Sequence, residues 1–113
     1  MVRTVPKPWG EEIIFAHTDR YAGKILKVRK GESLSLQYHV KKDETIYLYE
    51  GSLKLLLEVG GASEEVVLRP GEARHLPPGT RHQMVGLEDC TIFEASTPEL
   101  DDVVRLKDRY GRA

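Results

Sequence analysis

The chain has a single cysteine, Cys90, in 113 residues. One thiol excludes an internal disulfide and any thiolate cluster, and the apolar neighbours Ile92 and Phe93 mark it as a small core hydrophobe. Long apolar runs are also lacking: nothing approaches the ~20 residues of a membrane-spanning helix, so no membrane partner is expected. The opening Met1-Val2-Arg3-Thr4-Val5-Pro6 has no signal-peptide apolar stretch and no small-residue cleavage site, which makes the cytoplasm the expected compartment. Charge of one sign is missing as well. Seventeen basic and eighteen acidic residues give a formal charge of -1 and a pI near 6.4, so nucleic acid is not an expected partner.

Low-complexity segments and repeats of fixed period are absent, which removes solenoids and propellers. Turn signals are plentiful: Pro8-Trp9-Gly10, Lys30-Gly31, Glu50-Gly51, Gly60-Gly61, Pro70-Gly71 and Pro77-Pro78-Gly79. Between them lie short runs rich in Ile, Val, Leu and Tyr, at 12–17, 24–29, 33–40, 45–49, 53–59, 65–68, 82–85 and 91–95. Eight or nine strands without a long amphipathic stretch predict one all-β domain over 1–113, a sandwich or barrel of antiparallel strands. The last dozen residues suit either a closing strand or a short helix.

Alternation in the third run puts Ser35, Gln37 and His39 on one face and Leu34, Leu36 and Tyr38 on the other. The polar set then lines whatever the sheet encloses. Glu44 follows after a polar connection, and a hairpin there would return it beside His39. His82 opens another run behind two rigid turns. Two imidazoles and a carboxylate are a common set for a divalent metal with open positions, and Gln37 can add an amide oxygen. Each histidine taken singly is more often a surface or hydrogen-bonded residue than a ligand; spacing is what favours the metal.

That spacing carries a resemblance. Gly31, Gln37, His39, Glu44 and Gly51 resemble the first cupin motif, with Gln37 where many cupins have a histidine. Gly71, Pro77, Pro78, Gly79 and His82 resemble the second, after a gap of 19 residues. Lys7-Pro8-Trp9-Gly10, Leu34-Ser35-Leu36-Gln37-Tyr38-His39 and the tail from Asp101 to Arg112 are similar to the mannose-6-phosphate isomerase cupins. Those are best known as the C-terminal half of enzymes fused to a mannose-1-phosphate guanylyltransferase. Nothing here resembles the nucleotidyltransferase half. The chain departs from the fused enzymes in reading Val40-Lys41-Lys42-Asp43 after His39, and in having Gly86 where the second motif often has Asn.

The resemblance implies a cupin jelly roll and a metal shell of Gln37, His39, Glu44 and His82, with zinc favoured over nickel, manganese or iron. It also implies a mannose-6-phosphate isomerase, interconverting mannose 6-phosphate and fructose 6-phosphate through an enediol that the metal would stabilise. Glu12, His75 and Glu94 are candidate bases. Lys24, Lys41, Lys42, Arg74 and Arg81 are candidate grips for a sugar phosphate, with Arg74 a pocket residue if Leu76 points inward. Two other functions fit the same ligands: a non-catalytic sugar-binding or regulatory cupin, and a small metal-dependent oxygenase. Trp9 reads as a plug for the barrel end in preference to a sugar-stacking platform. Tyr38, Tyr47 and Tyr49 fall on outer faces, which predicts a homodimer.

Overall fold

The computed structural model describes residues 2–112. Eleven strands form: β1 Arg3–Lys7, β2 Gly10–His17, β3 Ala22–Val28, β4 Leu36–Tyr38, β5 Glu44–Glu50, β6 Leu53–Val59, β7 Ala62–Leu68, β8 Ala73–Leu76, β9 Arg81–Gly86, β10 Cys90–Ser96 and β11 Val104–Lys107. A six-stranded sheet runs β1-β2-β3-β10-β5-β8 and a five-stranded sheet runs β11-β4-β9-β6-β7. All pairings are antiparallel, and the two sheets make the expected jelly roll. Among the described residues no helix is long and apolar enough to cross a membrane.

Period-two alternation decides which side chains enter the space between the sheets. In β5, Ile46 and Leu48 are fully buried while Thr45, Tyr47 and Tyr49 are exposed. In β6, Leu53, Leu55 and Leu57 point inward, and in β10 Ile92 does so beside Cys90. These join Val28, Leu34, Leu76, Met84 and Trp9 in one apolar cluster. Trp9 is 3% exposed, as a plug should be.

The inward rows change character along their length. β5 opens with Glu44 before Ile46 and Leu48; β9 opens with His82 before Met84; β3 has Lys24 before Leu26 and Val28; β10 runs the other way and ends in Glu94 after Ile92. Antiparallel pairing sets Glu94 opposite both Ile46 and Lys24. The polar ends of separate strands thus gather at one end of the barrel and the aliphatic ends at the other.

Two expectations change in detail, and the tail, which suited strand or helix, is settled as a strand. The third run is a strand only over Leu36–Tyr38, with Ser33 making an isolated bridge to Val85, and Leu34 and Ser35 are both buried. The tail forms β11, pairing Arg105 with Gln37. Tyr38 belongs to the five-stranded sheet, where the Arg81 guanidinium lies 5.9 Å from its ring centre, so it shares no surface with Tyr47 and Tyr49.

Candidate metal centre and anion cavity

His39 follows β4, His82 lies in β9 and Glu44 opens β5 in the facing sheet. No hairpin returns Glu44 to His39; the two meet across the barrel interior because residues 40–43 carry the chain from one sheet to the other. Their side chains still converge. Nε2 of His39 and Nε2 of His82 are each 3.3 Å from Oε1 of Glu44. All three residues are buried, and one ligand atom from each lies within 4.8 Å of the others.

The histidine tautomers follow from the other ring nitrogens. Nδ1 of His82 is 2.9 Å from the Thr80 carbonyl, and Nδ1 of His39 contacts the Asp102 carbonyl. A carbonyl can only accept, so Nδ1 carries the proton in each neutral ring and Nε2 presents a lone pair. Two lone pairs and a carboxylate oxygen therefore face one point, and His82 Nε2 is buried without a hydrogen-bond partner. Three such acceptors are reconciled either by a proton on a ring nitrogen, as in the His39–Glu44 hydrogen bond, or by a metal cation between them. This donor set, with both imidazoles anchored from behind, fits a divalent metal.

Gln37 lines the same cavity, opposite His82 in the sheet register. Its Oε1 accepts a 2.7 Å bond from Ser35 Oγ. Gly79, at φ 82°, donates its N–H to the His39 carbonyl over 2.7 Å, which holds the 77–80 turn against β4 and sets His82 beside His39.

A relay of charge runs away from this cluster. Lys42 Nζ is 3.1 Å from Glu44 and 3.0 Å from Glu94; Lys24 Nζ is 2.6 Å from Glu12 and 4.0 Å from Glu94; Lys7 is 3.7 Å from Glu12. Burial by itself would raise Glu44, but with no metal bound the hydrogen bonds it takes from the two imidazoles, together with the Lys42 ammonium, hold it well below the usual carboxylate range. Glu12 is likewise lowered, the penalty of burial being outweighed by Lys24. Glu94 is pushed up to about 7 by complete burial and by the neighbouring Glu44 charge, which Lys42 and Lys24 offset only in part.

The cavity holding these groups has a volume of about 390 Å³ and opens between β1, β11 and the segment from Leu100 to Val103. Glu12, Glu94 and Lys24 line it. His75, Lys41, Arg74 and Arg81 do not. His75 alternates with inward Leu76, faces solvent and pairs with Asp43 at 2.6 Å, so it cannot serve as a base in the cavity. Leu76 does point inward, yet Arg74 lies on an edge strand, and its guanidinium reaches Glu64 of β7 at 3.5 Å. Arg81 precedes inward His82 and therefore faces out, toward Glu58 and Tyr38. Lys41 is exposed in the connection.

Several cavity residues carried no signal of their own in the sequence. Arg3, Lys7, Arg105 and Arg112 sit in terminal segments to which the sequence assigned no role in the cavity, whereas Lys42, a candidate phosphate grip, does line it. Asp102, which is not part of the cavity lining, is the clearest case of a role hidden from the sequence. Its carboxylate accepts backbone N–H bonds from Val40, Lys41 and Lys42 at 3.1, 2.6 and 2.9 Å, which draws its pKa down, and its carbonyl anchors His39. Sixty residues of separation hid that role.

The family described as mannose-6-phosphate isomerase C-terminal matches residues 1–108. The chain belongs to this family. Among curated relatives, mannose-1-phosphate guanylyltransferase of Escherichia coli K12 is 32% identical over 97% of the chain, and xanthan biosynthesis protein XanB of Xanthomonas campestris is 30% identical over 97%. The chain spans about a quarter of the length of these relatives, 23% and 24%. Among solved structures, KdgF from Halomonas sp. superposes with a TM-score of 0.76 at 28% identity, covering 89% of this chain and 88% of that one. Oxalate decarboxylase of Bacillus subtilis superposes at 0.81 with 17% identity over 93% of this chain and 30% of that one, a likeness of fold alone.

These relatives correct the expected enzyme. The Escherichia coli relative is named a guanylyltransferase, a transferase, and XanB a xanthan biosynthesis protein; both match this chain over only about a quarter of their length, so mannose-6-phosphate isomerase activity does not follow from them. The chain is a cupin of a sugar-phosphate-related family with a His/Glu cluster able to hold a metal.

Proposed function

We propose that this cupin holds one divalent metal ion through His39, Glu44 and His82, with Gln37 beside them, and binds a sugar phosphate against that ion. The carrying observation is the convergence of three buried acceptor atoms on one point, His82 Nε2 having no other partner. Two imidazoles and a carboxylate suit zinc best, and nickel, manganese and iron share the preference for such ligands. When bound, the metal would supply a Lewis acid for a sugar oxygen. The chain's own groups do the rest: Lys24 and Lys42 fix the carboxylates by charge, Glu94 stands ready to hold or release a proton near neutrality, and Trp9 and Leu26 keep one wall dry.

Elemental analysis and titration calorimetry with mannose 6-phosphate test this reading. Metal bound in a one-to-one ratio and chelator-sensitive sugar-phosphate binding are expected. Protein that takes up no metal, or that binds mannose 6-phosphate equally well after chelation, overturns it.

The same reading includes a homodimer through the outer face of the six-stranded sheet. Phe15, Tyr21, Tyr47, Tyr49 and Phe93 are 36% to 56% exposed there, and Phe93 stacks with both Tyr47 and Tyr49. Five such rings leave on the order of 500 Å² of aromatic surface, a large part of the roughly 800 Å² per partner of a standard interface. A second copy is the occupant that repeats this surface. Sedimentation equilibrium of the wild type and of Phe93→Ser should show dimer and monomer respectively; a monomeric wild type overturns the assignment.

A further inference from the structure

We infer that Arg105 is the specificity-determining residue that grips the anionic group of the ligand, two strands away from the metal centre. The inference rests on the sugar-phosphate reading above and gives a role to a residue of the closing strand that lies outside the ligand cluster.

Six cationic side chains line the cavity: Arg3, Lys7, Lys24, Lys42, Arg105 and Arg112. Lys7 and Lys24 face Glu12, and Lys42 bridges Glu44 and Glu94. Arg112 is held in a two-pronged pair by Asp108, at 2.8 Å through Nε and 3.1 Å through a terminal nitrogen. Arg3 lies exposed at the lip, where water can solvate it. Arg105 differs from all of these. It is partly buried, its Nε is fully shielded from solvent without a hydrogen-bond partner, and among the described residues no ion pair engages its guanidinium. A guanidinium Nε–H withdrawn from water and left without an acceptor is costly, and an anion docking in the fork would supply that acceptor.

Its position supplies the ruler. Arg105 of β11 is in register with Gln37 of β4, and Gln37 is in register with His82 of β9. The three form a row across the inner face of one sheet. Two interstrand spacings of about 4.8 Å put the Arg105 backbone roughly 10 Å from that of His82. A hexose carrying a phosphate at one end is long enough to touch the metal with its oxygens and Arg105 with its phosphate, passing over Gln37. Asp101 also lines the mouth, and its exposed carboxylate disfavours an anion bound further out. A sugar without a charged group satisfies the metal end only, so Arg105 sets the preference for phosphorylated over neutral sugar.

The test compares mannose 6-phosphate with mannose, by titration calorimetry on zinc-loaded wild type, Arg105→Met and Arg105→Lys. Wild type should favour the phosphorylated sugar, and Arg105→Met should lose about tenfold to a hundredfold of that preference, the worth of one charge-assisted hydrogen-bond pair. Arg105→Lys should recover part of it, and metal content should be equal in all three. An unchanged preference in Arg105→Met overturns the assignment and leaves the metal reading standing. Should wild type bind no mannose 6-phosphate at all, the sugar-phosphate reading fails, and inorganic phosphate decides Arg105 by itself. A saturable shift of the Arg105 Nε–H resonance on phosphate titration supports the grip, and an unmoved resonance overturns it.

Discussion

His39 and Glu44 are five residues apart in the chain and belong to opposite sheets, yet His39 Nε2 lies 3.3 Å from Glu44 Oε1 inside the barrel. A lone pair and a carboxylate oxygen at that distance repel unless a proton or a metal cation sits between them. The short 40–43 crossing makes this contact, and the metal cation it can hold underlies the first prediction.

Loading with zinc should raise the melting temperature and chelation should lower it. A ligand at a hundred times its Kd stabilises by about 2.7 kcal/mol, which for a domain of this size is a shift of about 10 °C or more. His82→Ala and Glu44→Gln should abolish both the shift and the bound metal by elemental analysis. A chelator-insensitive melting temperature in the wild type would contradict the cation.

Asp102 should matter to the metal although it does not touch it. Its carboxylate ties down the three backbone N–H groups of residues 40–42, next to His39. Asp102→Ala frees that connection, and metal affinity should fall about tenfold to a hundredfold, the usual effect of losing a group that orients a ligand. Competition with a coloured chelator measures it. Asp101→Ala, one residue away at the exposed mouth, should leave affinity unchanged.

Acid–base behaviour of the metal-free protein should report Glu94. Its folded pKa, pushed up to about 7 from 4.5, means the folded state keeps a proton that the unfolded state has already lost. The stabilisation is complete below 4.5 and disappears as pH rises through about 7. Glu44 and Glu12 have lowered pKa values and act in the opposite sense, their stabilisation being lost as pH falls beneath 4.5. Urea denaturation of chelated wild type should therefore show a decline in stability between those two values that Glu94→Gln removes. A decline of equal size in the variant would assign it to another group.

Gly51 and Gly31 both have positive φ, 98° and 83°, but only one is crowded. A Cβ on Gly51 would lie 2.3 Å from the Asp89 carbonyl oxygen, whereas one on Gly31 meets nothing within 4 Å. Gly31→Ala should cost about 1 to 2 kcal/mol, the strain of the left-handed conformation. Gly51→Ala adds a backbone clash and should cost about 3 kcal/mol or more. Chemical denaturation of the two variants separates the effects, and equal losses would mean the Asp89 backbone gives way freely.

What could be read from the amino acids alone was whatever depends on short-range pattern. Turn residues at strand-sized intervals announced a β-protein, the alternation set Ser35, Gln37 and His39 on the inward side although it put Leu34, which joins the core, on the other, and the resemblance of the two motifs singled out Gln37, His39, Glu44 and His82. Alternation also turns His75 and Arg81 outward, but only once the inward partners Leu76 and His82 are known, because a period of two has no sign until one face meets a core. Long-range registry was silent in the chain. The pairing of Arg105 with Gln37, the Asp102 clamp on residues 40–42 and the embedding of Lys42 between Glu44 and Glu94 arise from strands and crossings tens of residues apart. A charged residue in a terminal segment looks solvated in one dimension. Whether water, a neighbouring carboxylate or an unfilled cavity faces it is settled when the sheets close, since only then is its hydration removed.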